Sequence, residues 1–145
     1  MKITTKGRYA IHILYDLATN GTEHPVSVKE MATRQDISVK YTEQIISILN
    51  KAGYVVSSRG FQGGYRLTRP LQEYIIGDIL RLTEGSLAPV ECLSGEENQC
   101  PKHQRCETII LWEKIDKAIR DVVDHVTLQD LVDWQNQGQK PIEKI

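Results

Sequence analysis

The chain has 145 residues, of which 40% are hydrophobic and 26% charged, a composition typical of one compact domain or of a small domain with an appendage. Length and composition exclude a large multidomain enzyme, a disordered chain and a collagen-like chain. No stretch approaches the roughly 18 consecutive apolar residues of a membrane helix, and residues 1–8 lack the apolar core of a secretory signal, so we expect a cytoplasmic protein with reduced cysteines.

The formal net charge of −1 is divided unevenly along the chain. Residues 1–70 carry ten Lys or Arg against five Asp or Glu, a net charge of +5. Residues 71–145 carry eight Lys or Arg against fourteen Asp or Glu, a net charge of −6. A basic half joined to an acidic half indicates a polyanionic partner for the first half and another role for the second.

Two helices are predicted before residue 35. Residues 8–18 place apolar side chains on one helical face, namely Ile11, Leu14, Tyr15 and Ala18, and the pair Asn20-Gly21 ends that helix. Ser27 and Glu30 have the spacing of a capping box, in which each side chain satisfies a free backbone donor. They predict a short second helix over about residues 28–34.

A third helix is predicted from the cap Ser38 to about residue 51, with Gly53 just past its end. Its core-facing stripe is Tyr41, Ile45, Ile48, Leu49 and Ala52, and its polar face is Lys40, Glu43, Gln44, Ser47 and Lys51. A short helix, a turn and an amphipathic helix are typical of a helix-turn-helix, whose second helix enters the DNA major groove. The alternative is an ordinary solvated face.

Residues 54–59 and 65–68 are predicted to form two short strands, joined by the glycine-rich turn 60–64. A helix-turn-helix followed by a hairpin is a winged helix, and Arg59 and Arg66 would place cations on the wing. A phosphate-binding loop is the rival interpretation of these glycines. No Gly-Lys-Ser/Thr sequence follows them, and a strand follows rather than a helix.

The second half predicts a short helix over residues 75–82 closed by Glu84-Gly85, a long loop over 86–105, and a helix of roughly five turns from about Glu107. The apolar stripe of the long helix is Leu111, Ile115, Ala118, Ile119, Val122 and Val126. Dimerisation would explain this stripe, and packing on its own domain is the alternative. Residues 127–132 predict a closing short helix, and 135–145 a frayed tail.

The long loop holds every cysteine of the chain: Cys92, Cys100 and Cys106. Three grouped thiols in a reducing compartment indicate an iron–sulfur cluster, a zinc ion or metal-free thiol sensing, although they could also have no role. A three-cysteine site needs a fourth ligand, for which His103 is the first local candidate and Glu107 the second.

Four separated segments resemble the Rrf2 family of bacterial winged-helix transcription regulators: residues 1–10 (MKITTKGRYA), 37–44 (ISVKYTEQ), 59–65 (RGFQGGY) and 127–131 (TLQDL). The resemblance covers essentially the whole chain. It implies a homodimer that is joined through the long C-terminal helix and binds a pseudo-palindromic double-stranded DNA operator. By resemblance, the DNA-reading residues would be Ser38, Lys40, Tyr41, Glu43 and Gln44, and the wing residues Arg59 and Gly60.

Two branches of that family are similar to this chain. The iron–sulfur branch, IscR, shares three loop cysteines, which implies a 2Fe–2S cluster on Cys92, Cys100 and Cys106. The cysteine-metabolism branch, CymR, shares the opening residues and residues 89–91, and implies control without a cluster, by a metabolite or by cysteine synthase as a protein partner.

The cysteine motif departs from the iron–sulfur branch in two ways. The first gap between cysteines is seven residues where that branch has five, and Ile109 stands where its ligating histidine would be. A nitric-oxide-sensing branch instead uses an aspartate near the N-terminus of the partner subunit, where this chain has Arg8. The fourth ligand is therefore unassigned.

The expected fold is mainly α with a small β-hairpin: a winged helix-turn-helix over residues 1–83, a cysteine-bearing loop over 84–106, and a dimerisation helix with a tail over 107–145. The expected function is transcription regulation through a cysteine-ligated cluster that senses iron–sulfur or redox status. The alternatives are the cysteine-metabolism regulator and, from another class, a small redox or metal carrier without a DNA role. No nucleophile–base set or cofactor fingerprint indicates an enzyme.

Overall fold

The computed structural model describes residues 1–61 and 63–142. In these ranges the chain forms six α-helices and one two-stranded sheet. The helices are α1 (Thr5–Asn20), α2 (Val28–Gln35), α3 (Val39–Lys51), α4 (Ile76–Glu84), α5 (Ile109–Val123) and α6 (Leu128–Asn136), and the strands are β1 (Val55–Ser58) and β2 (Gly64–Leu67). Single 3-10 turns lie at Leu71–Glu73, Glu91–Leu93 and His103–Arg105. Within the described ranges, no helix has the length and apolar character needed to cross a bilayer.

Helix α1 is the centre of the core, because it contacts α2, α3, α4, α6 and β2. Its buried apolar residues are Ala10, Ile13, Leu14, Leu17 and Ala18. The predicted face is incomplete: Ile11 and Tyr15 are half-buried and pack against the core, and Ile13 and Leu17, which were not predicted, are fully buried. A helix with neighbours on several sides buries more of its circumference than the single stripe that an amphipathic pattern predicts.

Helices α2 and α3 begin where their caps predict. The backbone N–H of Glu30 donates to Ser27 Oγ at 3.1 Å, and the N–H of Ser27 donates to Glu30 Oε2 at 2.9 Å. Ser38 Oγ accepts from the N–H of Tyr41 at 3.0 Å. The turn between the helices is made at Asp36, whose φ of 53° lies in the left-handed region.

The core-facing side of α3 follows the prediction at Ile45 and Leu49, which are at most 1% exposed. Ile46 and Thr42 are also buried, whereas the predicted core residue Ala52 is exposed. Ala52 leaves the core because α3 ends at Lys51 and the chain turns away at Gly53, whose φ is +82°.

The hairpin is antiparallel, with Val55 opposite Leu67 and Ser58 opposite Gly64. Tyr65 also exchanges two backbone hydrogen bonds with Val26, at 2.8 and 2.9 Å, so the segment before α2 pairs with β2. The close approach requires Gly64, since a Cβ there would lie 2.4 Å from the carbonyl oxygen of Val26. These bonds fix the hairpin relative to the helix-turn-helix.

The C-terminal helices differ in length from the prediction. Helix α5 has 15 residues, about four turns rather than five, and Val126 lies beyond it. The helix ends at Val123, and the carboxylate of the next residue, Asp124, accepts two hydrogen bonds from Arg81 at 2.7 and 3.0 Å.

Helix α6 returns to the core and packs on α1, where Leu128 is fully buried. It extends to Asn136, so residues 135 and 136 are helical and are not part of the predicted frayed tail. Residues 143–145 of that tail lie outside the described ranges.

Candidate nucleic-acid interface

Helix α3 presents the polar face that its sequence predicts. Its cap Ser38 and the side chains of Lys40, Glu43, Gln44, Ser47 and Lys51 are all exposed. The opposite side of the helix is anchored in the core through Ile45 and Leu49. A helix with one face packed in the core and hydrogen-bonding side chains on its exposed face is typical of a recognition helix that binds in the major groove.

Tyr41, which the resemblance places among the DNA-reading residues, lies partly inside the fold. Its ring is half-buried and meets the ring of Tyr9 edge-on, with centroids 6.1 Å apart. This contact joins the first turn of α3 to α1. Tyr41 therefore fixes the position of the helix through this packing, whatever else its hydroxyl contacts.

An ion pair fixes the other helix of the helix-turn-helix. Arg34 of α2 donates to both carboxylate oxygens of Asp16 in α1, at 2.7 and 2.8 Å, and Asp16 is only 2% exposed. Gln35 adds a third hydrogen bond to the same carboxylate at 3.3 Å. The hydrogen bond to Asp16 raises the pKa of Arg34 above its usual range. Sequence reasoning missed this pair, since an acidic residue in a helix is ordinarily solvated.

The tip of the hairpin projects away from the core and carries exposed Arg59, Gly60 and Phe61. Gly60 has a φ of +118°, and the N–H of Gly63 donates to its carbonyl at 2.9 Å, closing the turn. Arg66 is exposed on β2. Phe61, at 105% exposure, was not singled out by the sequence reasoning, although a phenylalanine between glycines in a hairpin turn signals an apolar side chain outside the core.

The electrostatics of this surface favour an anionic partner. Among the described residues, no salt bridge engages Lys40, Arg59 or Arg66. Glu43 is the acidic residue on the exposed face of α3. Cations that are not neutralised by the protein attract phosphates and release condensed counterions when they bind DNA.

The cysteine loop does not bring its three thiols into one site. Cys92 and Cys100 line the same small cavity together with Glu91 and Glu97, and Cys106 is not part of its wall. All three cysteines are free and half-buried. The predicted fourth-ligand candidates, His103 and Glu107, are exposed.

The potential metal donors of the loop do not converge on one point. Over residues 1–61 and 63–142, no three His, Cys, Asp or Glu side chains are arranged to hold one. Cys106 Sγ lies instead 3.5 Å from the hydroxyl of Thr108, just before α5. In the arrangement described, these residues do not fit an iron–sulfur cluster.

Helix α5 contributes no buried residue to the fold. Its exposed apolar residues are Ile110 at 64%, Leu111 at 51%, Ile115 at 37% and Val122 at 61%. Leu111, Ile115 and Val122 share one face of this four-turn helix, and Ile110 lies on another. An apolar face left open to water is typical of a surface that a further chain covers.

Three comparisons place the chain among known proteins. The profile of the Rrf2 family, described as iron-dependent transcriptional regulator, matches residues 3–134. Protein rrf2 of Nitratidesulfovibrio vulgaris is 44% identical over 133 residues, which are 91% of this chain and 87% of that protein. The HTH-type transcriptional regulator CymR of Bacillus subtilis is 40% identical over 140 residues, which are 97% and 96% of the two chains.

Solved structures agree with these sequence relatives. The structure of T. potens IscR has a TM-score of 0.77 and 38% sequence identity, over 99% of this chain and 94% of that one. The fold expected from the sequence, a winged helix-turn-helix with further C-terminal helices, is therefore confirmed. The Rrf2 profile and the relative CymR are described as transcriptional regulators, so the protein acts in transcription by binding DNA and is not an enzyme. The chain belongs to the Rrf2 family of transcriptional regulators.

Proposed function

We propose that this protein is a cytoplasmic homodimer that binds a pseudo-palindromic DNA operator, with α3 in the major groove and the hairpin in the adjacent minor groove. The observation that carries the proposal is the exposed polar face of α3 beside a hairpin whose arginines are free of salt bridges within the described ranges. The DNA-binding part is residues 1–83. Residues 84–106 form the cysteine loop, and residues 107–145 carry the dimerisation helix.

The side chains of α3 have the chemistry for direct readout. Gln44 can form two hydrogen bonds to the major-groove edge of an adenine, Glu43 can accept from a cytosine amine, and Lys40 can reach a phosphate or a guanine. Ser38 caps the helix, and its exposed hydroxyl can also donate to a phosphate of the duplex. Tyr41 supports the same helix from the side of α1.

The wing supplies contacts outside the major groove. Arg59 at the tip and Arg66 on β2 provide positive charge for phosphates or for a narrow minor groove. Gly60 allows the backbone to turn there, because its φ of +118° lies in the left-handed region that favours glycine.

Two copies are needed to read a palindrome at a fixed spacing, roughly one helical turn of DNA between half-sites. The open apolar face of α5 is the surface that we assign to this pairing: Leu111, Ile115 and Val122. Burial of these side chains against a second α5 would remove them from water and hold the two α3 helices at a set distance.

Two candidates remain for the signal. The first is an iron–sulfur cluster on Cys92, Cys100 and Cys106, with His103 or Glu107 completing the site. The three loop cysteines and the likeness to T. potens IscR support it. Since the donors as placed do not fit a cluster, we derive no mechanistic step through one.

The second candidate is control by a protein partner, such as cysteine synthase, or by a metabolite, without a cluster. The likeness to CymR of Bacillus subtilis, over nearly all of both chains, supports it. In either case the signal can change DNA affinity only if it binds one arrangement of the protein better than another.

DNA binding is tested by selecting duplexes from a random library with the purified protein and measuring affinity against salt concentration. The proposal expects a selected duplex with two-fold symmetry and an affinity that falls steeply as salt rises. Selection of no duplex, or an affinity independent of salt, would overturn it.

The signal is tested on protein purified without oxygen, by measuring iron, acid-labile sulfide and zinc per chain. Near-stoichiometric iron and sulfide support the cluster. If the folded protein binds DNA but contains neither iron nor acid-labile sulfide, the second candidate is supported. Normal regulation in a variant without the three cysteines supports the second candidate as well.

A further inference from the structure

Phe61 is the one phenylalanine of the chain, and its side chain is fully exposed at the tip of the hairpin. An aromatic ring ordinarily buries a large apolar surface, in a core or at an interface. No part of the Phe61 side chain is buried by the fold, whereas apolar side chains such as Ile13, Leu14 and Leu49 are fully buried in the core. The whole ring is therefore available for a contact outside the monomer.

The base of the hairpin is held firmly beneath the ring. Tyr65 is bonded to Val26 on one side and paired with Ser57 on the other. The Gly63 N–H closes the turn on the Gly60 carbonyl at 2.9 Å. A hairpin fixed at its base in this way projects Phe61 from a defined place beside α3.

Charge complementarity identifies the occupant. Arg59 precedes the ring by two residues and Arg66 lies on the following strand, both exposed and outside the salt bridges of the described ranges. An apolar tip with cationic flanks suits the minor groove, where phosphates line both edges and the floor of base edges carries few distinguishing hydrogen-bond groups. The basic first half of the chain, with a net charge of +5 over residues 1–70, and the exposed polar face of α3 favour DNA over an acidic protein surface as this partner.

We propose that Phe61 is an apolar wedge that enters the minor groove, partly unstacks one base step and bends the operator. This inference rests on the proposed DNA-binding function and adds to it a residue that senses DNA deformability. Because pyrimidine–purine steps unstack most easily, the wedge selects TA or CA/TG steps under the wing without a hydrogen bond to any base.

The experiment uses the full-length protein and a duplex that the wild type has selected from a random library. Donor and acceptor dyes on the two ends report the bend by energy transfer. In a second series, 2-aminopurine replaces each adenine in turn, and its fluorescence rises where a base loses its stacking partner. The variants are Phe61→Ala, Phe61→Leu and Phe61→Trp.

Phe61→Ala is expected to abolish most of the change in energy transfer and the local 2-aminopurine signal, and to weaken binding roughly 5- to 30-fold. Phe61→Leu and Phe61→Trp keep an apolar wedge and retain most of both signals. The slope of affinity against salt stays the same in all variants, because the ring carries no charge. Their melting temperatures match the wild type, since the residue is outside the core.

Two results overturn the wedge. If Phe61→Ala binds the selected duplex with the wild-type bend and affinity, the ring has no role in DNA and the proposed DNA-binding function stands. If Phe61→Ala loses the bend but Phe61→Leu and Phe61→Trp lose it equally, the ring does not act as a wedge. Failure of the wild type to select or bind any duplex instead overturns the proposed function together with this inference.

Discussion

Arg34 and Asp16 form an ion pair with two hydrogen bonds, in which the carboxylate of Asp16 is buried and the guanidinium of Arg34 is partly exposed. The Asp16 side chain is 2% exposed and the Arg34 side chain 38%. Because a buried carboxylate without its counter-ion is costly, Arg34→Met is expected to lower the free energy of unfolding by about 3–5 kcal/mol. Asp16→Asn leaves an arginine that can turn to water, so the expected loss is smaller, about 1–2 kcal/mol.

Urea denaturation of both variants measures this asymmetry. Lys29→Met, an exposed change on the same helix, is the control and should alter the free energy of unfolding by less than about 0.5 kcal/mol. Equal losses in Arg34→Met and Asp16→Asn would contradict the interpretation.

Tyr74 connects the two ends of the hairpin. Its side chain is fully buried, and its hydroxyl donates to the carbonyl of Tyr54 at 2.6 Å and accepts from the N–H of Thr68 at 2.9 Å. Tyr74→Phe leaves both backbone groups without this partner, so the expected loss is about 1–3 kcal/mol of unfolding free energy. Thermal melting gives the loss. Hydrogen exchange at the Thr68 amide should become faster, and unchanged protection there would show that the hydroxyl bond does not hold the hairpin.

The elements that were predicted well depend on neighbours in sequence. Ser27 and Ser38 locate the starts of α2 and α3 because a cap acts within three residues. The exposed face of α3 was predicted from the spacing of polar and apolar residues along the helix itself. Such signals are contained within one helix and the residue that caps it.

What was missed depends on contacts between distant segments. The burial of Ile13 and Asp16 requires the elements that surround α1, and the supporting position of Tyr41 requires Tyr9 thirty-two residues earlier. The ion pair of Arg81 with Asp124 joins residues 43 positions apart. The placement of the cysteines depends on an irregular loop, which has no period from which a shared site could be derived.

Gln44 and Arg59 should affect DNA binding in different ways. Gln44→Ala removes a bidentate base contact, so it is expected to cost about 1–3 kcal/mol and to relax the preference at one base pair. Arg59→Ala removes a cation, so it weakens all sequences similarly and lowers the salt slope by about 1. Binding assays with the selected duplex and its single-base variants separate the two effects. A Gln44→Ala protein with unchanged preference would remove this residue from the reading set.

Leu111 tests the proposed pairing of α5 helices. Its side chain is 51% exposed in the single chain, so Leu111→Asp leaves the monomer fold intact while placing a charge in the proposed interface. Light scattering is expected to show a monomer. Affinity for the palindromic duplex should fall at least tenfold, because each monomer then binds a single half-site without the help of a linked partner. Glu113→Gln, exposed on a different side of α5, should remain a dimer. A dimer that survives Leu111→Asp would show that this face is not the interface.

Cys106 should react at lower pH than an ordinary thiol. Hydrogen bonds from the hydroxyl and backbone N–H of Thr108 stabilise its thiolate and lower its pKa, the side-chain bond most of all. Trp112 Nε1 donates to the Thr108 oxygen at 3.0 Å, so the hydroxyl proton is free to point at the sulfur. The thiolate therefore persists to lower pH, and the stabilisation that it gives the fold is lost as pH falls through the lowered pKa.

The measurement is the rate of iodoacetamide alkylation at Cys106 in metal-free protein, followed by peptide mass spectrometry across the pH range of thiol ionisation. Thr108→Val removes the hydroxyl, so the midpoint of the rate profile should move to higher pH. Thr108→Ser keeps the hydroxyl and should keep the wild-type midpoint, which separates the hydrogen bond from the loss of a methyl group. If the profiles of wild type and Thr108→Val coincide, the hydroxyl does not stabilise the thiolate, because valine offers no side-chain donor in its place.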